Sequence, residues 1–203
     1  MKKNYFIFSL TLLLFLNVIS GCNKSNDNTA TATISVNSDS ERVNTFKDLN
    51  LGILYDFTFK LNNANKNWVD IWVESYKDGK QEPHPIAKLS YGVSPKKVEE
   101  GNLGFGIINT EDTPLVFLYA PNVTTSPRKI NKMHSVGMVS GWNYAIGKVK
   151  NKLKLGETYL LGVYRESHGG SIRTYNLQNN KEIKKIINED SRVFLLKIKI
   201  VKK

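Results

Sequence analysis

The feature that most constrains this chain is a two-residue rhythm through its middle and end. Ile53, Tyr55, Phe57, Phe59 and Leu61 alternate with Leu54, Asp56, Thr58 and Lys60, and Val69, Ile71 and Val73 alternate with Asp70, Trp72 and Glu74. Successive strand side chains point to opposite faces, so this rhythm describes half-buried strands. Asp78-Gly79 then supplies the two-residue hairpin signal, because the favoured turn needs positive φ at both central positions. A return strand is expected around Ile86 to Tyr91, with an irregular start at Pro83 and Pro85 because proline cannot donate to a ladder. Leu103 to Asn109, Leu115 to Tyr119, Tyr144 to Lys150, Tyr159 to Tyr164, Ser171 to Tyr175 and Arg192 to Val201 read as further strands. The expectation is a mainly β fold, a two-sheet antiparallel β-sandwich of about nine strands. One short helix in the C-terminal half interrupts it. Asn179 can cap that helix, Glu182 follows three residues on, and Ile183, Ile186 and Ile187 form an apolar stripe, leaving Lys181, Lys184 and Lys185 on the wet side.

At 203 residues, 40% apolar and 10% aromatic, the chain can build one core and does not have a disordered composition. Lys and Arg number 29 against 18 Asp and Glu, a net charge of +11. The single cysteine, Cys22, excludes a disulfide framework or a zinc site made of several thiolates. No internal repeat is visible.

The first residues carry an address. Met1-Lys2-Lys3 is followed by an uncharged stretch from Tyr5 to Ile19, the pattern of an export signal and shorter than the ~20 residues of a membrane-spanning helix. Ile19-Ser20-Gly21-Cys22 closes that stretch and resembles the lipobox of bacterial lipoproteins. The resemblance implies cleavage between Gly21 and Cys22, a diacylglyceryl group on Cys22 Sγ and an acyl chain such as palmitate on the new amine. Two or three chains anchor stably where one is marginal. The alternative is ordinary cleavage near Gly21 and a freely secreted protein with one thiol. Cleavage removes two lysines and no acid, leaving +9. The expected organisation is a signal peptide over 1–21, the lipidated cysteine and a polar tether over 22–46, and one sandwich domain over 47–203. Within the tether, Ala32-Thr33-Ile34-Ser35-Val36 alternates and stays open as a first edge strand.

Two segments bear a further resemblance. Leu153-Lys154-Leu155-Gly156-Glu157-Thr158-Tyr159 is similar to the tyrosine-corner turn of immunoglobulin-like and fibronectin-like sandwiches. Trp72 ahead of Tyr76-Lys77-Asp78-Gly79-Lys80 resembles the third strand and following turn of an immunoglobulin-like domain. The two segments stand about 80 residues apart and the inter-sheet cysteines are absent. The resemblance therefore implies an architecture, without topology or function.

Two surfaces are candidate sites. Trp68, Asp70, Trp72, Glu74 and Tyr76 share one strand face, where rings could stack on sugars and carboxylates could accept from hydroxyls; the competing reading is a strand covered on both sides. Asp70 and Glu74, four residues apart, lie roughly 13 Å apart along a strand, too far for a glycosidase pair. Lys148, Lys150, Lys152 and Lys154 alternate along a second stretch and would line up if that strand is continuous. They would then guard an edge or meet phospholipid headgroups or an anionic wall polymer. His84, His134 and His168 lack metal-ligand spacing, no HExxH or Gly-x-Ser-x-Gly occurs, and no helix pattern follows the glycines of Gly101-Asn102-Leu103-Gly104-Phe105-Gly106, against a phosphate loop.

These features point to a lipid-anchored, extracytoplasmic binding or scaffolding module at the cell membrane. No catalytic residue, metal or cofactor is expected. Its partners are the membrane, through Cys22, and an anionic wall polymer, a glycan or an envelope protein, with no nucleic acid. One alternative is an envelope-polymer hydrolase, which needs Asp70, Glu74, Glu166 or a histidine to converge in a cleft. Another is an adaptor for a protein partner at the membrane surface.

Overall fold

The computed structural model describes residues 30–111, 113–131 and 137–203; the export signal, the lipobox with Cys22, and His134 lie outside the described residues. Two antiparallel sheets face each other. The first holds seven strands, β1 (Ala32–Val36), β2 (Gly52–Asn62), β6 (Val98–Ile108), β7 (Leu115–Ala120), β8 (Val123–Thr124), β9 (Arg128–Lys129) and β11 (Asn151–Leu153). They run in the order β11-β1-β2-β6-β7-β8, with β9 also on β7. The second holds β3 (Asn67–Lys77), β4 (Lys80–Gln81), β5 (Ala87–Gly92), β10 (Val139–Tyr144), β12 (Thr158–Ser167) and β13 (Arg192–Lys202). Its order is β10-β12-β13-β3, and both β4 and β5 pair with β3.

The core lies where the alternation of β2 and β3 puts it. Phe57, Phe59, Leu103, Phe105 and Leu118 of the first sheet meet Val69, Ile71, Leu196, Ile198 and Phe194 of the second, all buried. Each such side chain contributes roughly 1.5–3 kcal/mol on leaving water. Tyr55 ties the layers together, since its hydroxyl donates to the Val163 carbonyl at 2.7 Å. Its ring needs Gly162 opposite, where a Cβ would stand 2.6 Å from the ring. The register of β12 against β13 shifts between Leu160 and Gly162, which lets the strand pass the tyrosine.

One helix lies on the outward face of each sheet. In α1 (Glu41–Asp48) the Ser40 side chain caps by accepting from the Val43 amide. Val43 and Phe46 pack on Leu54, Phe117 and Tyr119 of the first sheet. In α2 (Asn180–Glu189) Asn179 caps by accepting from the Lys181 amide. Glu182 reaches back to the Asn176 amide, outside the helix. Ile186 is buried with Val163, Val193 and Leu195 on the second sheet, and Lys181, Lys184 and Lys185 are exposed.

The hairpin at Asp78-Gly79 forms as expected, with φ of 48° and 78° and Lys77 opposite Lys80. The Tyr159 hydroxyl closes the Leu153–Tyr159 turn by accepting from the Lys154 amide at 3.0 Å. Other expectations need correction. The described residues form thirteen strands and two helices, because four two- or three-residue strands, too short to show a rhythm, patch the sheet edges. Residues 32–36, expected within a tether reaching residue 46, form β1, which pairs with β2 on one side and β11 on the other and buries Ala32 and Ile34 completely. Residues 37–40 then turn, with the Asn37 amide donating to the Asp56 carbonyl, and lead into α1. The strand placed at Tyr144 to Lys150 lies upstream, as β10. Past Ala145 the chain turns towards the first sheet, where the Gly147 carbonyl accepts from the Val36 amide. Ser171 to Tyr175 forms no strand, for the Arg173 carbonyl is taken by the Arg165 guanidinium at 2.7 Å instead of a ladder.

Candidate functional site

A cleft of about 770 Å³ lies beside α1 on the outward face of the first sheet. Its floor follows from two glycines. On β6, Asn102, Gly104 and Gly106 face outward, and β7 lays Tyr119 and Phe117 over the glycines. A Cβ on Gly106 would stand 2.1 Å from the Phe117 ring; one on Gly104 would stand 2.4 Å from the Tyr119 hydroxyl and 2.0 Å from the Tyr55 carbonyl. The rings can therefore lie low against the backbone only because no side chain sits beneath them.

Under this floor is Asp56, with 0% of its surface exposed. Its carboxylate accepts from the Tyr119 hydroxyl at 2.7 Å, from Asn102 Nδ2 at 3.1 Å and from Asn37 Nδ2 at 3.3 Å. Neutral donors thus replace the countercharge that a buried carboxylate usually needs. Burial first, and the Asp56 charge second, push the Tyr119 phenol far above its ordinary value, so it stays a proton donor. Arg42 of α1 stands at the rim, 6.0 Å from the centre of the Tyr119 ring. Thr45 and Phe46 form one wall and Pro121 to Thr124 another. Such a site can stack a flat ligand on aromatic rings and meet an anionic group with Arg42.

The β3 face points away from the core and is partly covered, between the open platform and the covered strand considered from the sequence. Trp68, Asp70, Trp72, Glu74 and Tyr76 are all half-buried, and α2 covers only the end near Tyr76. Trp72 faces away from the core, unlike the buried tryptophan of an immunoglobulin-like third strand. Glu74 is already occupied, accepting from Trp72 Nε1 at 3.0 Å, the Tyr76 hydroxyl at 2.9 Å and Lys197 Nζ at 2.8 Å. Burial pushes its carboxyl up, but the three hydrogen bonds outweigh burial and hold it below the ordinary value. Burial and the Glu74 bond raise Tyr76 to about 12. Asp70 accepts from the Ser90 hydroxyl, and Lys203 Nζ sits 5.2 Å from the centre of the Trp68 ring.

The lysine row is not a row. β11 spans only Asn151–Leu153, and Lys148 and Lys150 fall in the turn that precedes it. Lys148 pairs with Asp39, and Lys154 with Glu157 at 3.5 Å, while Lys150 and Lys152 are exposed. Nor do the acids assemble. Glu166 is buried, accepting from the Tyr164 hydroxyl at 2.8 Å on the core side of the second sheet, whereas Asp70 and Glu74 are on its outward side. His84 and His168 are exposed on separate loops. Among the described residues no three metal-ligating side chains gather, and no helix is long and apolar enough to cross a membrane.

Sequence reasoning missed Asp56, Asn102, Arg42 and Tyr119. The available signal was alternate glycines on one strand and alternate aromatics, Phe117 and Tyr119, on the next. Neither family models, curated proteins nor solved structures yield a match to this chain.

Proposed function

We propose that this chain is a lipid-anchored, extracytoplasmic binding module whose ligand occupies the cleft between α1 and the first sheet. One observation carries the reading: a fully buried carboxylate, accepting from Tyr119, Asn102 and Asn37, fixes the floor of a cleft of about 770 Å³. That volume falls in the range of small-ligand sites, and a floor held by hydrogen bonds loses little freedom on binding. The chemistry fits an envelope glycan or an anionic polymer segment, with ring faces on Phe117 and Tyr119 and a negative group at Arg42. Cys22 supplies the anchor in this reading, supported by the lipobox and the export signal ahead of it.

Two experiments test the two halves. Mass spectrometry of the mature chain from host membranes is expected to find Cys22 first and acylated; an unmodified chain would end the anchoring half. Titration of an isotope-labelled chain starting at residue 23 with soluble glycan fragments and with poly(glycerol phosphate) is expected to shift the Asn102 side-chain amide. Shifts confined to the Trp68 and Trp72 indoles would move the site to the β3 face. No shift anywhere would favour the protein-partner adaptor.

A further inference from the structure

The short tether gives the domain a definite side facing the anchor. β1 begins at Ala32, so only residues 23–31 separate Cys22 from the first sheet, a span of about 30 Å at full stretch. The register shows what surrounds that starting point. Ala32 is opposite Leu61 and Leu153, Asn62 is opposite Val98, and Lys202 is opposite Asn67. The β2–β3 turn, the β5–β6 loop, the end of β11 and the end of β13 therefore share one pole. Backbone bonds tie these segments together: Ala64 donates to Lys97, Ser94 to Ala64 and Lys203 to Lys66.

That pole is basic and carries apolar tips. Lys66, Lys96, Lys97, Lys152, Lys202 and Lys203 are all exposed there. Among the described residues none has a carboxylate partner, whereas Lys60 is taken by Glu100 and Lys154 by Glu157. Among them stand Val93, Val98 and Leu155, with 44%, 41% and 44% of their surface in water. Val93 is held outward by a backbone at φ 54°, a conformation that β-branched residues avoid. Its amide is fixed on the Asn67 carbonyl at 3.1 Å.

We infer that this pole docks on anionic phospholipid headgroups of the membrane that holds the anchor, lysines against phosphates and the three apolar tips in the interface. The inference rests on the lipid-anchor reading for its geometry. Unpaired lysines close to an anionic leaflet attract it additively, and apolar tips add area that leaves water. Docking would turn the α1 cleft, on the flank of the sandwich, sideways to the membrane and leave its mouth free.

Both sheets, both helices and the whole described core lie within residues 30–203, so an unlipidated chain starting at residue 23 retains the fold. It is tested on vesicles of phosphatidylcholine alone and with about one-third phosphatidylglycerol. Binding is expected only to the anionic vesicles and to fade at high salt. The triple variant Lys66→Glu, Lys97→Glu, Lys152→Glu is expected to lose about a hundredfold or more in partitioning. The control Lys80→Glu, Lys129→Glu, Lys185→Glu, with the same charge change elsewhere, is expected to lose much less. Equal losses in the two triples, or equal binding to neutral vesicles, would overturn the pole. So would binding to poly(glycerol phosphate) in solution as tight as to vesicles, which would make it a wall-polymer site. Amine acetylation of the unmutated chain on vesicles gives an independent reading, with protection expected at the pole lysines and not at Lys80 or Lys185. Failure of lipidation would appear in the mass of Cys22, and failure of docking in the vesicle assay.

Discussion

Replacing Gly104 by alanine tests the logic of the cleft floor, with Gly106→Ala as its internal reference. At Gly104 the new Cβ would stand 2.0 Å from a backbone carbonyl, that of Tyr55, and 2.4 Å from the Tyr119 hydroxyl. Neither neighbour moves freely, because Tyr55 lies in a central strand and the Tyr119 hydroxyl is bonded to Asp56 at 2.7 Å. Overpacking costs about 1–3 kcal/mol. Displacing Tyr119 removes a hydrogen bond to a buried charge, about 1.5–3 kcal/mol more. The expected loss is therefore about 3–5 kcal/mol, a large part of the roughly 5–15 kcal/mol that keeps a domain folded. At Gly106 the three nearest atoms all belong to the Phe117 ring, the first at 2.1 Å. That ring is half-buried at the cleft and can swing out, so about 1–2 kcal/mol is expected. Equilibrium urea unfolding reads both, and with slopes of about 1–3 kcal/mol/M the midpoints should separate by about 1 M or more. A Gly104→Ala loss below about 1 kcal/mol, or equal losses at the two glycines, would refute the account of a floor fixed through Tyr119 and Asp56.

Glu74→Gln tests the β3 face through acid stability. The Glu74 carboxyl is held below its ordinary value of 4.5, so its contribution is complete above that pH and is lost as pH falls through the lower folded value. Urea midpoints of the native protein and the variant should differ at pH 7 and draw together as the pH falls through that lowered value, and a difference that does not shrink in acid would refute the assignment. The ion pairs should divide by burial. Arg165 and Asp190 are each 4% exposed, so Asp190→Asn should cost about 3–5 kcal/mol by stranding a guanidinium. Asp39→Asn breaks a pair whose side chains are 67% and 75% exposed, and thermal unfolding should show almost no shift.

How far each element could be read from the sequence depended on how local its cause is. β2 and β3 were legible because each strand displays its own burial rhythm, and the Asp78-Gly79 turn because positive φ restricts its residues. α2 was legible because its cap and its isoleucine stripe lie within nine residues. α1 was hidden in a polar stretch, since its two anchors, Val43 and Phe46, acquire meaning only against Leu54, Phe117 and Tyr119. The lysine row misled because a turn can repeat the lysine spacing of a strand without its geometry, and Lys148 lies in such a turn. The cleft joins α1, β2, β6 and β7, and no single segment announces it. Asp56 in particular reads as a wet position of an alternating strand, and only Asn37, Asn102 and Tyr119 from distant segments make it a buried one.

The place of β1 also has a mechanical consequence. A pull on the N-terminal segment arrives at a strand gripped along both edges, with five residue pairs to β2 and three to β11. Directed along the strand axis, that pull shears the grips together, whereas a strand on an open border could be peeled one bond at a time. Drawing β1 out would also uncork Ala32 and Ile34 from the core, both with no exposed surface. The N-terminal strand of the domain is thus among its sturdier parts, held along both edges and loaded in shear by a pull along its axis.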